Sequence, residues 1–321
     1  MFGLITKSIT RILLLLVLLS FVGCPGNPEQ EIRVGTNVWP GYEPLYLARE
    51  LGFFKGANIR LVEYPSATEV IRGFKNKNLE AAALTLDEAI YLKQYDENVV
   101  IVLVLDVSNG GDVIIAQPGI NDFSKLKGKR IAVEANALGA YFVSRALELH
   151  NMTLGDINIV HTEVSNHEEL FVTKQVDAAV TFEPVRTKLL ASGGKEVFSS
   201  KEIPGEVTDV LVVRKQVLKD MKRRLTNLVD GWFLALDELK ERPQKSATLL
   251  APRLKISPEE VLASYEGLIL PQRTENRVYL GKEGGVLGNN IQQLSKVMKE
   301  NGLLRSEHQS PNFYSDILIG E

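Results

Sequence analysis

From Ile32 onward, short β-branched runs alternate with stretches whose apolar residues recur at helical spacing. That alternation restricts the chain to strand-helix-strand architectures. "IRVGTN" predicts a strand, "EPLYLARELGFF" a helix ending near Gly52, "NIRLVEY" a strand and "SATEVIRGFKNK" a helix with Ser66 at its N-cap. "AAALTL", the helix "LDEAIYLKQY" and the apolar "VVIVLVLDV" follow. Strands apolar on both faces belong to a sheet covered by helices on both sides, so the expected fold class is α/β with doubly wound sheets.

After "DVSNGGD" the pattern restarts with "VIIAQ", a short "FSKLKGK" segment, "RIAVE", the helix "LGAYFVSRALELH", "INIVHT", the helix "NHEELFVTKQ", "DAAVTF", the helix "PVRTKLLAS" and "EVFSS". No sequence repeat aligns this half with the first. One more strand is expected at "VTDVLVVR", and the remainder is helical. In "LTNLVDGWFLALDELKERP", Leu225, Leu228, Val229, Trp232, Leu236 and Leu239 form a core-facing stripe, and Pro243 stops the helix. A last amphipathic helix is expected from about Asn289 to Asn301, ended by Gly302. This order places residues 32–108 with 209–321 in one lobe and 109–208 in a second, joined by two strand crossings. A small-molecule cleft lies naturally at such a junction.

The first 31 residues predict a targeting segment. Lys7 and Arg11 precede an apolar run from Ile12 to Leu19 and then "SFVGC", the order of regions in a signal peptide. Even counted on to Val22, the run is shorter than the ~20 residues of a bilayer-spanning helix. Residues 1–23 are therefore expected to be a leader and 24–31 a polar tether. Cys24 is the only cysteine, so the chain has no internal disulfide and no cysteine metal cluster. The formal charge of -3 offers no basic surface for a phosphate backbone, which argues against nucleic acid. Globular composition, with 45% apolar and 24% charged residues, supplies core enough for two lobes.

Six segments in order carry a family resemblance: "NVWPGYEPLYLARELGFFKGANIRLVEY", "LTLDEA", "DVSNGGDVIIAQ", "VEANALGAYFVSRALE", "QVDAAVTFEP" and "TDVLVVRK". Together they resemble the substrate-binding proteins of bacterial ABC importers for nitrate, sulfonates and taurine. The resemblance implies a two-lobed periplasmic-binding fold that closes over one solute and delivers it to a permease, without cofactor or covalent chemistry. Cys24, after a small residue at the end of an apolar leader, resembles a lipoprotein cleavage site. That implies a lipid-anchored protein in the periplasm or at the cell surface, and a monomer is expected.

By the same resemblance, the turn after the first strand lines the cleft, with Trp39, Pro40, Gly41 and Tyr42 as one wall. Thr85 and Asp87 are expected to touch the solute or cap their helix. Asn109 and Asp112 lie at the first crossing and Asp209 at the second. Glu183 starts the "EP" motif, facing the cleft or pairing with Arg186. The amides near Ala137, Leu138 and Gly139 open a helix and suit an anionic group. Four carboxylates, Asp87, Asp112, Glu183 and Asp209, imply an electronegative cleft that disfavours nitrate and suits an amine. A taurine-like zwitterion fits this pattern. A thiamine-precursor-like pyrimidine or other aromatic amine is the alternative, since Trp39 and Tyr42 offer faces for stacking.

An enzyme or ligand sensor of the same fold is the rival class. His150, His161, His167 and His308 show no metal-ligand spacing, and the chain has no G-x-S-x-G elbow, phosphate loop or dinucleotide fingerprint. No enzymatic activity and no metal or cofactor are expected.

Overall fold

The computed structural model describes residues 30–134, 137–281, 286–306 and 313–320; Cys24 and the leader lie outside them. In the unit that begins at Ile32, the described strands are β1 (Ile32–Thr36), β2 (Ile59–Glu63), β3 (Ala81–Thr85), β4 (Val99–Ser108), β5 (Val113–Ala116), β6 (Arg130–Val133), β7 (Asn158–His161), β8 (Ala178–Thr181), β9 (Lys195–Ser199), β10 (Thr208–Arg214) and β11 (Leu268–Ile269). They form two sheets, ordered β11-β4-β10-β3-β1-β2 and β7-β6-β8-β5-β9. β1 runs parallel to β2 and β3, while β10 lies antiparallel between β3 and β4. In the second sheet β6 runs parallel to β7 and β8, and β5 lies antiparallel between β8 and β9. Each inserted strand is the one that follows a crossing. The two halves therefore share one strand order although their sequences do not align.

The helices are α1 (Glu43–Glu50), α2 (Ala67–Lys75), α3 (Leu86–Lys93), α4 (Ala137–Leu149), α5 (His167–Val172), α6 (Val185–Ala191), α7 (Lys215–Asp220), α8 (Lys222–Glu241), α9 (Pro243–Leu254), α10 (Pro258–Tyr265), α11 (Arg273–Leu280) and α12 (Val286–Glu300). Ser66 does cap α2, its hydroxyl accepting from the Glu69 N–H at 3.3 Å. All ten residues of β4 are buried, as their composition requires. Burial of each Val, Ile or Leu there is worth about 1.5–3 kcal/mol. The stripe on α8 faces the same core, with Trp232 fully buried. The last helix begins at Val286, three residues before the expected start. No helix among the described residues is long and apolar enough to cross a membrane.

Backbones come very close at the crossings. A Cβ on Gly267 would lie 2.9 Å from the Gly111 nitrogen, and one on Gly111 would lie 2.8 Å from the Trp39 ring. Only glycine permits this approach. The two crossings are also tied by side chains: the Ser108 and Ser200 hydroxyls lie 2.8 Å apart, and Ser200 Oγ accepts from the Gly110 N–H at 2.6 Å.

Candidate functional site

The carboxyl ends of parallel strands converge where the two sheets meet. β1 leads into Asn37, Trp39 and Tyr42; β3 ends at Thr85, one helical turn before Glu88; β6 is followed by Glu134 and β8 by Phe182. The inserted strands run the other way, so their beginnings reach the same edge. Asp209 pairs with Thr85, and Val113, next to Asp112, pairs with Thr181. Open α/β sheets hold ligands at this edge because strand-to-helix turns leave it uncovered.

A cavity of about 20 Å³ lies there. Its charged lining consists of Glu88, Asp112, Glu134 and Asp209; Trp39, Tyr42 and Phe182 supply aromatic walls, and among the described residues no lysine, arginine or histidine lines it. Trp39 meets Phe182 edge to face, with centroids 5.5 Å apart at 88°, so the contact joins the two sheets' halves. Its indole N–H donates to Asp106 Oδ2 at 3.1 Å, which fixes the ring. The Tyr42 hydroxyl donates to Asp209. Glu88 Oε2 accepts from the Thr85 N–H at 3.1 Å, so this carboxylate also caps α3. Thr68 of α2 donates to Glu134 Oε1 at 3.4 Å, a second contact between the halves.

Burial pushes each of these acids up. Asp112 is raised from 3.8 to about 7, first by desolvation and then by the charge of Asp87. Asp106 also rises to about 7 by desolvation, against the pull of the Trp39 hydrogen bond, and Glu134 to about 7 by desolvation and Glu163. Asp209 lies well above its ordinary value through burial and then the Asp106 charge, and Glu88 through burial and then Asp87 and Glu134. Like charges held together in a dry site cannot all ionise, so the cluster retains protons near neutrality. A cation placed among these groups takes over the protons' role. Among the described residues, no group of three or more histidine, cysteine or acidic side chains is arranged to hold a metal ion.

A second cavity of about 20 Å³ adjoins the first, sharing Asp112, Glu134, Leu138 and Phe182. A wider groove of about 570 Å³ lies outside, between α2 and β7, and reaches Glu134. Its cations are engaged elsewhere: Arg72 pairs with Glu69 at 2.6 Å, and Lys75 sits 4.0 Å from the centre of the Tyr95 ring.

Of the residues singled out from the sequence, Trp39, Tyr42, Thr85, Asp112, Leu138 and Asp209 line the first cavity, and Gly139 lines the second. The others stand off its walls. Pro40 is buried in the turn, and Gly41 packs so tightly that a Cβ would lie 1.9 Å from Asp106 Oδ2. Asp87 is buried beside Glu88 without lining the cavity, and Asn109 is exposed, its N–H donating to the Gly267 carbonyl at 2.8 Å. Glu183 is consumed locally, accepting from Arg186 at 3.0 Å and from the Thr187 N–H at 3.1 Å. Ala137 begins α4, but residues 135–136 before it, and its own side chain, lie outside what is described. The acids that take the places of Asp87 and Glu183 are Glu88 and Glu134, which sequence reasoning passed over. Glu134 had a usable signal: it directly follows a parallel strand.

The NMT1-like family profile matches residues 26–251. A candidate binding protein of Brucella abortus (strain 2308) is 24% identical over 153 residues, taking in 45% of this chain and 47% of that protein. The chain thus spans about half the length of the curated relatives it matches. The alkanesulfonate-binding protein SsuA of Xanthomonas axonopodis pv. citri, bound to MOPS, superposes with a TM-score of 0.75 at 14% identity, covering 88% of this chain and 97% of that one. The periplasmic aliphatic sulphonate-binding protein SsuA of Escherichia coli gives a TM-score of 0.73 at 16% identity, covering 90% and 99%. These identities establish a common fold. With the family profile spanning well over half of its length, the chain belongs to the NMT1-like family and carries the periplasmic-binding fold.

Proposed function

We propose that this is an extracytoplasmic solute-binding protein of an ABC importer, and that it captures a small amine between its two halves. The observation that carries the reading is a cavity lined by four carboxylates and three aromatic rings with no basic side chain. An ammonium group gains about 1.5–3 kcal/mol from each charge-assisted hydrogen bond to such a wall, or roughly ten- to a hundred-fold in affinity. A bare anion finds no cation among the described lining residues and is repelled by whichever of the carboxylates are ionised. The sulfonate ligands of the fold relatives have no cationic partner here, and the start of α4, the remaining place for an acidic end, lies beside Glu134. Taurine therefore offers one favourable end and one unfavourable end.

A space of about 20 Å³ admits roughly one water molecule. A solute enters only when residues 32–108 with 209–321 swing away from 109–208 about the two crossings. Closure around it follows from contacts that it makes with both halves. The proposed role is capture and delivery, in line with the binding role that the names of the sulfonate-binding fold relatives carry. Cys24 is the proposed lipid attachment point, and the mass of the N-terminal peptide checks this, since an unmodified thiol overturns it.

The main test is a thermal-shift series with alkylamines, taurine, alkanesulfonates and nitrate. Amines are expected to raise the melting temperature while nitrate leaves it unchanged. Stabilisation by nitrate or an alkanesulfonate, with none by any amine, refutes the reading.

A further inference from the structure

The second cavity holds polar groups that the protein itself leaves unsatisfied. Thr181 at the end of β8 is 1% exposed and its hydroxyl has no hydrogen-bond partner. His167, the first residue of α5, is fully buried and neither ring nitrogen makes a hydrogen bond of full geometry, the Thr162 backbone being the polar group near the ring, and Asp112 Oδ2 is unpartnered. All three line this one recess, whose other walls include the apolar Phe142, Val164 and Val180. A buried polar atom without a partner costs about 1–3 kcal/mol. Three such side chains lining one small space, which shares Asp112, Glu134, Leu138 and Phe182 with the amine cavity, mark a place prepared for a group supplied from outside.

We infer that the solute carries, besides its ammonium group, a small neutral hydrogen-bonding group such as a hydroxyl, held in the recess by Thr181, His167 and Asp112. This inference rests on the amine reading above. Three features set the chemistry. The recess measures about 20 Å³, the room of a single hydroxyl rather than a sulfonate. Burial, only partly offset by the Thr162 backbone, holds the His167 imidazole down at about 4, so near neutrality it is uncharged and offers one donor and one acceptor. An anionic end finds no cation there and meets Asp112 and Glu134 instead. A hydroxyl both donates and accepts, which matches the threonine hydroxyl, the neutral imidazole and the free carboxyl oxygen together.

The test uses aminopropanol, aminobutanol and aminopentanol, each against the alkylamine with methyl in place of the hydroxyl, by calorimetry on the full chain. At least one amino alcohol is expected to bind about tenfold more tightly than its methyl partner. In Thr181→Val and His167→Leu that advantage falls to about twofold or less; His167→Gln, which keeps a donor and an acceptor, retains most of it. Thr181→Val replaces an unpaired buried hydroxyl by a group of the same shape, so its melting temperature is expected not to fall. If alkylamines bind the wild-type protein as tightly as their amino alcohols, the recess is not part of the solute site and the amine reading stands. If neither set binds, both fall.

Discussion

Asp112 and Glu134 are the two charged residues that face both cavities, and Asp112 presents an oxygen with nothing bonded to it. Asp112→Asn keeps the shape and removes the charge. It should weaken the best amine at least tenfold, since one charge-assisted hydrogen bond is worth about 1.5–3 kcal/mol. Calorimetry showing unchanged affinity removes Asp112 from the site. Part of this scale was legible: the family resemblance pointed to Trp39, Tyr42, Asp112 and Asp209, and all four line the first cavity. What the pattern lacks is rotation. Asp87 and Glu88 are neighbours on α3, and successive helical residues point about 100° apart, so only the folded backbone decides which of the two reaches the cavity. Glu183 differs again, because Arg186 three residues on claims it; that pairing was foreseeable from spacing, though which role prevails is set by packing.

Elements show a similar division. β3 and β4 are readable because their residues are almost all apolar on both faces, but that same uniformity carries no direction. The antiparallel insertion of β10 between β3 and β4, and of β5 between β8 and β9, was therefore not legible. Nor was the two-residue β11, which is too short for any alternation to register. Beyond β11, the edge of β4 is completed by a side chain. The buried Asn276 amide on α11 accepts from the Val104 N–H at 2.8 Å and donates to the Val104 carbonyl at 3.0 Å, standing in for a neighbouring strand. Asn276→Leu leaves both backbone groups without partners and should cost about 2 kcal/mol or more in chemical denaturation. Solute affinity should change less than about twofold, because the substitution stabilises nothing at the cleft and removes no group from it. Unaltered stability contradicts the strand-substitute role.

At the scale of the whole molecule, the closed acidic cavity makes stability depend on pH. Asp106, Asp112 and Glu134 are raised to about 7 in the folded protein. A raised value means that the folded state binds more protons than the unfolded chain, so the stabilisation is complete below about pH 4 and is lost as pH rises through about 7. Each proton so held gives a slope of about 1.4 kcal/mol per pH unit. The melting temperature of the free protein should therefore fall between about pH 5 and pH 8, and the gain from an added amine should grow over that window. His167, held down at about 4 by burial, opposes this between about pH 4 and 6.5, one group against three, while Asp156, pulled down to about 2 by Lys127 first and then Thr153, acts only below about pH 4. A melting temperature that rises steadily from pH 5 to pH 8, with an amine effect independent of pH, contradicts a protonated acid cluster. One question decides the proposed role: what occupies the cavity between the two sheets? A crystal structure with the most stabilising amine answers it most directly. The ammonium nitrogen is predicted within hydrogen-bonding distance of Asp112 and of Glu134 or Asp209, enclosed by Trp39 and Phe182. A solute seated only in the outer groove, or one that turns an acidic group toward those carboxylates, contradicts the account.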